Sequence, residues 1–485
     1  MKLLLERDID PDNFADHNVG RILDKAYEAG SIKIFSEIAR RGVNIFNIDT
    51  KHVSFDTTSV SVFGNYDNCS GEETPLKITF GHSKDHRPDL KQFLVSMLCV
   101  GENVPVFGKT ENGNASDKTI NNELLSSVSR HMAQHGLEPG AFIYIADSAM
   151  VTRDNLRAIK DNKVFFISRF PATYNECGRV IKEAVNEDKR DDIGVLAITK
   201  PTKNRPAAHY KICEKEIEAN GEIYRAVVVH SSTHDKRRRK RINKELESEY
   251  KSLKSGCKKV VKEEFFCLDD AQRAADQLQK TKSKYYEINT EVKEIPKYKK
   301  GRPKNGIKEV SKMHYRVLYE IEEIEEAVEK LTKEAGCFVL ISNVPKEGEG
   351  SYTPDAILKA YKDQYGIEQN FGFLKDPAIV NGIFLEKPER IEILGLILLL
   401  SLLIWRLIEH SLRHHVKNTG DDLPGWDKRR TERPTTFMTV TKFSGIMIIK
   451  IGKKRILNKH LTQEQKEYLV ALGLSEKIFT IPKRI

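Results

Sequence analysis

The sequence predicts a mixed α/β fold that is interrupted by a large insertion. Between residues 49 and 195, stretches typical of strands give way to a run in which helical and strand patterns alternate. This succession is typical of an α/β sheet with flanking helices. A charged segment at 196–335 breaks the pattern, and the apolar run CFVLISNV at 337–344 restores it. We therefore predict one core that is split by an insertion.

The elements follow in order. Residues 1–48 are predicted to be a helical region, whose start is possibly missing from this chain, and residues 49–195 the first part of the core. Strands are expected at HVSFDTTSV, LKITFGHS, QFLVSMLCV, VPVF, AFIYIAD and VFFISRFP, and helices at 120–135 and VTRDNLRAIKDN. The insertion, 196–335, is predicted to contain the strands YRAVVVHS and HYRVLYEI and a helical stretch from about 236 to 280. Residues 336–416 complete the core, and 417–485 form a C-terminal tail.

Composition narrows the class of protein. At about 100–200 residues per domain, 485 residues suit two or three domains, or one core with an insertion. The net charge of +10 favours a polyanionic partner. Seven cysteines lie scattered without ligand spacing, which indicates a reducing, cytoplasmic compartment. The apolar run at the N-terminus is too short for a signal peptide. The run at Ile393–Trp405 is too short for a membrane span, which needs about 20 residues. We therefore expect a core helix at Ile393–Trp405 and no membrane.

Three acidic residues stand in unusual contexts. Asp56 interrupts an apolar strand, Asp147 ends another, and Glu368 lies on a predicted helix that Thr353 can cap and Pro354 can begin. Each one alone is typical of a helix cap or a surface charge. Together they suit Mg²⁺, which takes a few carboxylates and keeps waters or phosphate oxygens as its other ligands. Two such ions about 3.5–4 Å apart can promote phosphodiester transfer.

The helix that carries Glu368 also has an unusual polar stripe. At about 100° per residue, the stripe is roughly 60° wide. Its members are Tyr361, Gln364, Glu368 and Lys375. The neighbouring apolar positions, such as Ile367 and Phe371, are expected to anchor the helix to the core.

These residues resemble a known family. The segments HVSFDTTSV, YIADSAM and YKDQYGIEQNFGFLK resemble the three acidic segments of DDE transposases of bacterial insertion sequences, which have a ribonuclease-H-like core. One branch carries the signature Tyr-x2-Arg-x3-Glu-x6-Lys. Its spacing recurs here in full, with Gln364 in place of arginine. GHSKDHRPDLKQ, NGNASD and the apolar segment after Glu368 are also similar, so the resemblance covers roughly residues 10–475.

The resemblance implies a ribonuclease-H-like mixed sheet and cut-and-paste transposition of double-stranded DNA, from terminal inverted repeats into target DNA. It implies that Asp56, Asp147 and Glu368 hold two Mg²⁺ (or Mn²⁺) ions, and that Tyr361, Gln364 and Lys375 contact DNA. It further implies a homodimer on paired ends in a bacterial or archaeal cytoplasm. Glutamine offers phosphate a neutral amide instead of a charged fork, which weakens that role at Gln364.

Basic residues supply further candidate DNA contacts, each of which has a solvated surface as its alternative. Lys84 and Arg87 lie beside the first acidic strand, and Arg169 ends a later one. Residues 235–262 hold twelve Lys/Arg against four acids, densest at KRRRKR with Arg237, Arg238 and Arg239. Arg302 in KKGRPK resembles a minor-groove hook.

Two alternatives stay open at this point. One is a nuclease with the same core that cuts DNA without joining it. The other is an inactive, DNA-binding remnant of a transposase.

Overall fold

The computed structural model describes residues 11–481 apart from 67–74, 126–127, 134–139, 188, 197–206, 299–309, 377–378, 380–381, 428 and 453. The chain divides into two compact units. Unit 1 comprises Met1–Pro171, Ala219–Tyr224 and Ile341–Ile485, and unit 2 comprises Ala172–Glu218 and Arg225–Leu340. The domain boundaries predicted from the sequence stay predictions.

Unit 1 begins with two helices and the first strands of a sheet. In chain order these elements are α1 (Asp16–Ala29), α2 (Ser31–Phe46), β1 (His52–Ser61), β2 (Gln92–Val100), β3 (Val104–Glu111), α3 (Asp117–Leu125), α4 (Val128–Ala133), β4 (Ile143–Ala146), α5 (Arg153–Asp161) and β5 (Phe165–Arg169). The strands lie in the order β3-β2-β1-β4-β5. β1, β2 and β3 pair antiparallel, whereas β1, β4 and β5 pair parallel. Unit 1 is therefore α/β with a mixed sheet and flanking helices, compatible with a ribonuclease-H-like fold.

The elements in the middle of the chain lie wholly or for the most part in unit 2. They are α6 (Asn175–Asn186), β6 (Asp191–Val195), β7 (His209–Ala219), β8 (Glu222–Ser231), α7 (Ser232–Val261), α8 (Leu268–Gln279), β9 (Tyr286–Tyr298), β10 (Val310–Glu323), α9 (Glu325–Glu334) and β11 (Cys337–Ser342). β9 and β10 form a long antiparallel hairpin. Cys257 of α7 is buried in a cluster with residues of α8 and of this hairpin.

Unit 1 resumes with mostly helical structure. Its remaining elements are α10 (Pro354–Asp363), α11 (Tyr365–Leu374), α12 (Pro388–Thr419), β12 (Leu423–Pro424), β13 (Arg430–Thr431), α13 (Thr436–Lys442), β14 (Ile448–Ile451), β15 (Lys454–Leu457), α14 (Gln463–Ala471) and α15 (Lys477–Thr480). Short 3₁₀ turns at Pro11–Phe14, Gly101–Asn103 and Ser148–Met150 complete the regular structure that the model describes.

The apolar helix α12 packs on the sheet. A Cβ on Gly108 of β3 would lie 2.4 Å from Cδ1 of Leu399, so glycine there lets α12 approach the strand closely. Leu402 and Leu403 are buried, whereas Ile397 and Ile404 are exposed. Among the described residues, α12 is the helix whose length and composition would allow it to cross a membrane, and half of its most apolar stretch is buried. The expected core position of this segment is thus confirmed for its buried side.

Three elements differ from their predictions. LKITFGHS forms an isolated bridge between Thr79 and Gln92 instead of a strand. The helices predicted at 236–280 and after Pro354 are each divided into two, as α7/α8 and α10/α11. Pro354 does begin α10, but Thr353 makes no side-chain cap. Periodicity gave the faces of these segments, whereas their breaks depend on tertiary contacts.

Candidate active site

Asp56 and Asp147 lie at the same level of two adjacent parallel strands. The register of β1 and β4 pairs Ser54 with Ile145. Two residues beyond this pair, on the same side because side chains alternate along a strand, stand Asp56 and Asp147. Asp147 directly follows β4, where its carboxylate accepts a hydrogen bond from the backbone N–H of Ala149 at 3.0 Å. Alternation and strand ends thus bring together two carboxylates that are 91 residues apart in the sequence.

The environment resists ionisation of both carboxyl groups. Burial raises the pKa of Asp56 to about 6, and the negative charges of Asp147 and Asp117 add to the rise against the opposing effects of Lys84 and the Thr57 N–H. Burial also raises the pKa of Asp147, helped by Asp117 and opposed by the Ala149 N–H and Lys84. Carboxylates in this position are stabilised by any cation that approaches them.

Asp117, the first residue of α3, is a third acid at this place that sequence reasoning missed. Its carboxylate accepts a hydrogen bond from the hydroxyl of Thr57, the residue after Asp56. α3 is fixed in turn by Asn121, which accepts a hydrogen bond from the buried Tyr144 of β4 at 2.9 Å. The signal was available, because Asp117 ends the segment NGNASD that the family resemblance includes.

Lys84 is the counter-ion of these acids. Its ammonium lies 3.8 Å from Oδ1 of Asp56 and 3.4 Å from Oδ2 of Asp117, and it donates to the carbonyl oxygen of Thr57 at 2.7 Å. We call Asp56, Asp117, Asp147 and Lys84 the acid cluster. The sequence predicts Lys84 as a DNA contact, and that role stays a prediction.

Tyr361 of α10 is influenced by the charges of the acid cluster, Glu368 and Arg169. Burial raises the pKa of Tyr361, the positive charge of Arg169 lowers it, and the negative charges of Asp147, Asp56 and Glu368 raise it further. Glu368 itself is exposed on the first turns of α11. Tyr361 therefore lies within electrostatic reach of all three acids predicted as metal ligands.

The donors at this place fit a hard divalent cation. Within the part of the chain that the structure describes, no group of three or more His, Cys, Asp or Glu side chains is close enough to form a ready metal cage. Mg²⁺ does not require such a cage, because one or two carboxylates with waters and substrate phosphates satisfy it. Asp56 and Asp147, with carboxylate oxygens and raised pKa values, have the chemistry of such ligands.

Gln364 separates α10 from α11 and binds the strand that carries Asp56. Its amide donates to the carbonyl oxygen of Phe55 at 3.1 Å. A Cβ on Gly366 would lie 1.8 Å from Nδ2 of Asn103, so α11 sits directly on the turn between β2 and β3. The proposed DNA contact of Gln364 stays a prediction, but the polar stripe is not one continuous helical line. In this chain the amide holds α11 against β1.

The other predicted DNA contacts in unit 1 are engaged within the protein. Lys375, which caps α11, donates to Asp85 at 2.6 Å. Arg87 is paired with Asp89 at 2.7 Å and is exposed. Lys84 and Asp85 are thus consecutive residues: Lys84 belongs to the acid cluster, and Asp85 binds Lys375 at the end of α11.

A buried polar network lies behind Glu368. Asn370 of α11 is fully buried and accepts a hydrogen bond from Arg406 of α12 at 2.6 Å. Arg406 in turn pairs with Glu409 at 2.6 Å, and both side chains are about 5–6% exposed. Asn370 also donates to the carbonyl oxygen of Asn103 at 2.9 Å. This network fixes α11 on α12 and on the β2–β3 turn.

Arg237, Arg238 and Arg239 lie in the second turn of α7, in unit 2. Arg239 is paired with Asp235 at 2.8 Å, whereas Arg237 is exposed and Arg238 is partly exposed. Arg302 lies outside the described residues.

No family model and no curated protein matches the sequence. Among solved structures, the chain matches a cryo-EM structure of the piggyBac transposase synaptic complex with hairpin DNA. The TM-score is 0.33 and the identity 8%, over 77% of this chain and 49% of that chain. The chain therefore spans about half the length of the structure it matches.

Proposed function

We propose that the chain is a DDE transposase that cuts its element from double-stranded DNA and joins it to target DNA. The observation that carries the proposal is the meeting of Asp56 and Asp147 at one level of adjacent parallel strands, with Tyr361 exposed to the negative charges of both and of Glu368. Acids from two strands and a later helix are the arrangement that the family resemblance implies. Asp56, Asp147 and Glu368 would hold two Mg²⁺ or Mn²⁺ ions.

The reaction has two in-line displacements. In the first, a water oxygen bonds to the phosphorus at the element end, the bond to the 3′-oxygen breaks, and that oxygen takes up a proton. In the second, the freed 3′-hydroxyl loses its proton and attacks a target phosphorus, which releases a new 3′-hydroxyl. Bound divalent cations supply charge neutralisation and activation of the attacking oxygen.

The chain's own residues orient these groups. The Thr57 N–H, at 2.7 Å, and Lys84 hold the Asp56 carboxylate, and the Ala149 N–H holds that of Asp147. The bond from Gln364 to Phe55 keeps α11, and hence Glu368, beside β1. We assign Tyr361, Arg169 and Lys375 to the DNA near the scissile phosphate. The active species is proposed to be a homodimer on paired ends.

The test is cleavage of a duplex that carries the inverted repeats flanking the reading frame. The wild-type chain is expected to nick it in Mg²⁺ or Mn²⁺ and to leave 3′-hydroxyl ends. Asp147→Asn and Glu368→Gln are expected to bind the duplex in Ca²⁺ but not to cut it. Cleavage that survives either substitution would overturn the assignment, and wild-type binding without cleavage would favour a DNA-binding remnant.

A further inference from the structure

The exposed side of α7 carries a line of cations without partners. Arg237, Lys240, Lys244, Lys258, Lys259 and Lys262 are all exposed, and none makes an ion pair with another residue in the described part of the chain. We call these six residues the basic face. At about 100° per residue, they all lie within about 60° of the direction of Arg237. The four acids from Asp235 to Glu249 point about 80° or more away from it.

We propose that the basic face binds the phosphate backbone of double-stranded DNA. The inference deepens the proposed function, on which it rests for the identity of the polyanion. It assigns the contact to one face of α7 and excludes Arg238 and Arg239, which the sequence predicts as contacts. Arg239 points to the opposite side, where it pairs with Asp235, and Arg238 lies about 100° from the line.

The helix does not need these cations to fold. Its opposite side is buried through Ile242, Leu246 and Cys257, which pack in apolar clusters within unit 2. Like charges three or four residues apart oppose helix formation by about 0.2–0.5 kcal/mol per pair. Cations in the first turns also lie at the positive end of the helix dipole. A line of repelling charges that contributes nothing to packing is explained by an anionic partner.

The dimensions and chemistry of the face favour a duplex. From Arg237 to Lys262, a rise of about 1.5 Å per residue gives about 38 Å, close to one turn of B-DNA at about 34–36 Å. Between the two groups of cations, Ser248 and Ser255 are exposed on the same side, and short hydroxyl side chains let a phosphate backbone approach. An anionic membrane would need an exposed apolar side on the helix, whereas that of α7 is buried.

The test compares two triple variants of the full chain with equal change in charge. The first removes three cations of the basic face, Arg237→Gln, Lys240→Gln and Lys244→Gln. The control removes three cations of the same helix that lie off the face, Arg238→Gln, Arg239→Gln and Lys254→Gln. Binding to a random-sequence duplex is measured by fluorescence anisotropy in Ca²⁺ between 50 and 250 mM KCl, and circular dichroism checks helix content.

Each lost phosphate contact removes about 0.9 from the slope of log K against log salt. The face variant is therefore expected to lose about 2–3 from the slope, and the control less than about 1. Equal losses in the two variants, or no loss in the first, would overturn the proposal. A single-stranded or double-stranded RNA competitor that binds more tightly than the duplex would overturn the choice of DNA.

Asp56→Asn separates this result from the proposed chemistry. That variant keeps the basic face and is expected to bind the duplex with wild-type affinity and salt slope. If cleavage fails in every variant while only the face variant loses binding, the inference stands without the proposed reaction.

Discussion

The acid cluster of unit 1 and the basic face of unit 2 hold their charges in opposite ways. Asp56, Asp117, Asp147 and Lys84 come from four separate segments of the chain and contact one another or the adjacent backbone. The basic face comes from a single helix, and its six cations have no partner among the described residues. One charge system is built by the tertiary fold, and the other by helical periodicity alone.

This difference separates two kinds of consequence. Burial and mutual repulsion raise the pKa values of Asp56 and Asp147, so changes around them alter stability, pH response and chemistry together. The cations of the basic face are exposed, so changes there are expected to alter salt-dependent binding and to leave folding nearly unchanged. Matched substitutions in the two regions therefore test whether their charges have these different effects.

The largest difference is expected between two arginines. Arg406 is buried against Glu409 and Asn370 behind Glu368, whereas Arg237 is exposed. Arg406→Met removes the shorter of the two arginine contacts of the buried Glu409 carboxylate, leaves only Arg413 at 3.3 Å, and takes away the donor to Asn370, so it is expected to lower the free energy of unfolding by about 2–4 kcal/mol. Arg237→Met is expected to change it by at most about 0.5 kcal/mol. Urea unfolding measures both, and similar values would contradict the comparison.

A smaller effect is expected at the contact of α11 with the β2–β3 turn. Gly366→Ala forces the Asn103 side chain, 1.8 Å from the new Cβ, to move, at a cost of about 1–3 kcal/mol. Gly372 on the same helix has no neighbour within 4 Å, so Gly372→Ala should be neutral or stabilising by up to about 1 kcal/mol. Thermal unfolding of both variants, and of Gly366→Ala with Asn103→Ala, is the check. Destabilisation by both alanines alike would show that packing at Gly366 is not the cause.

The next effect is the change in the stability of the metal-free protein with pH. The pKa of Asp56 rises from 3.8 to about 6 on folding, so the stability that its protonated form provides is complete below about pH 4 and is lost as the pH passes 6. Asp56→Asn removes this loss. The Tm of Asp56→Asn should therefore exceed that of the wild type at pH 7.5 in EDTA and match it near pH 4. A variant less stable than the wild type at pH 7.5 would show that Lys84 outweighs the burial of Asp56.

The smallest effect is expected at Lys375 and Asp85, whose side chains are 23% and 34% exposed. A double-mutant cycle with Lys375→Gln and Asp85→Asn should give a coupling of at most about 1 kcal/mol. Asp85→Asn should also free Lys375 and strengthen DNA binding at low salt. Unchanged binding, with a coupling well above that value, would assign Lys375 to structure instead of DNA.

The sequence predicted what depends on local pattern. Alternation identified β1 and a short, fully apolar run identified β4, and hence Asp56 and Asp147, and the helical period identified the buried side of α11. The run of positive charge in α7 was also evident from the sequence. Which of its arginines form ion pairs was not, because that depends on the side chains that each one faces. Arg239 was chosen from composition, which does not show its pairing with Asp235, and its contact with DNA stays a prediction.

What the sequence could not supply depends on contacts between distant segments. Asp117 begins α3 at the end of the segment NGNASD, and although the family resemblance includes that segment, its place beside Asp56 depends on the bond from Thr57, which local pattern does not give. The break at Gln364 likewise reflects the bond to Phe55 and the contact of Gly366 with Asn103, 309 and 263 residues apart in the sequence, respectively. Helical propensity carries no information about either contact.

The proposed function requires that this chain join DNA as well as cut it. The most direct measurement uses duplexes that end in pre-cut inverted repeats with free 3′-hydroxyls, incubated with supercoiled target DNA in Mg²⁺. We predict covalent joining of those 3′ ends to the target by the wild-type chain, and none by Asp56→Asn. Cleavage of intact repeats without any joining of pre-cut ends would contradict it and identify a nuclease instead.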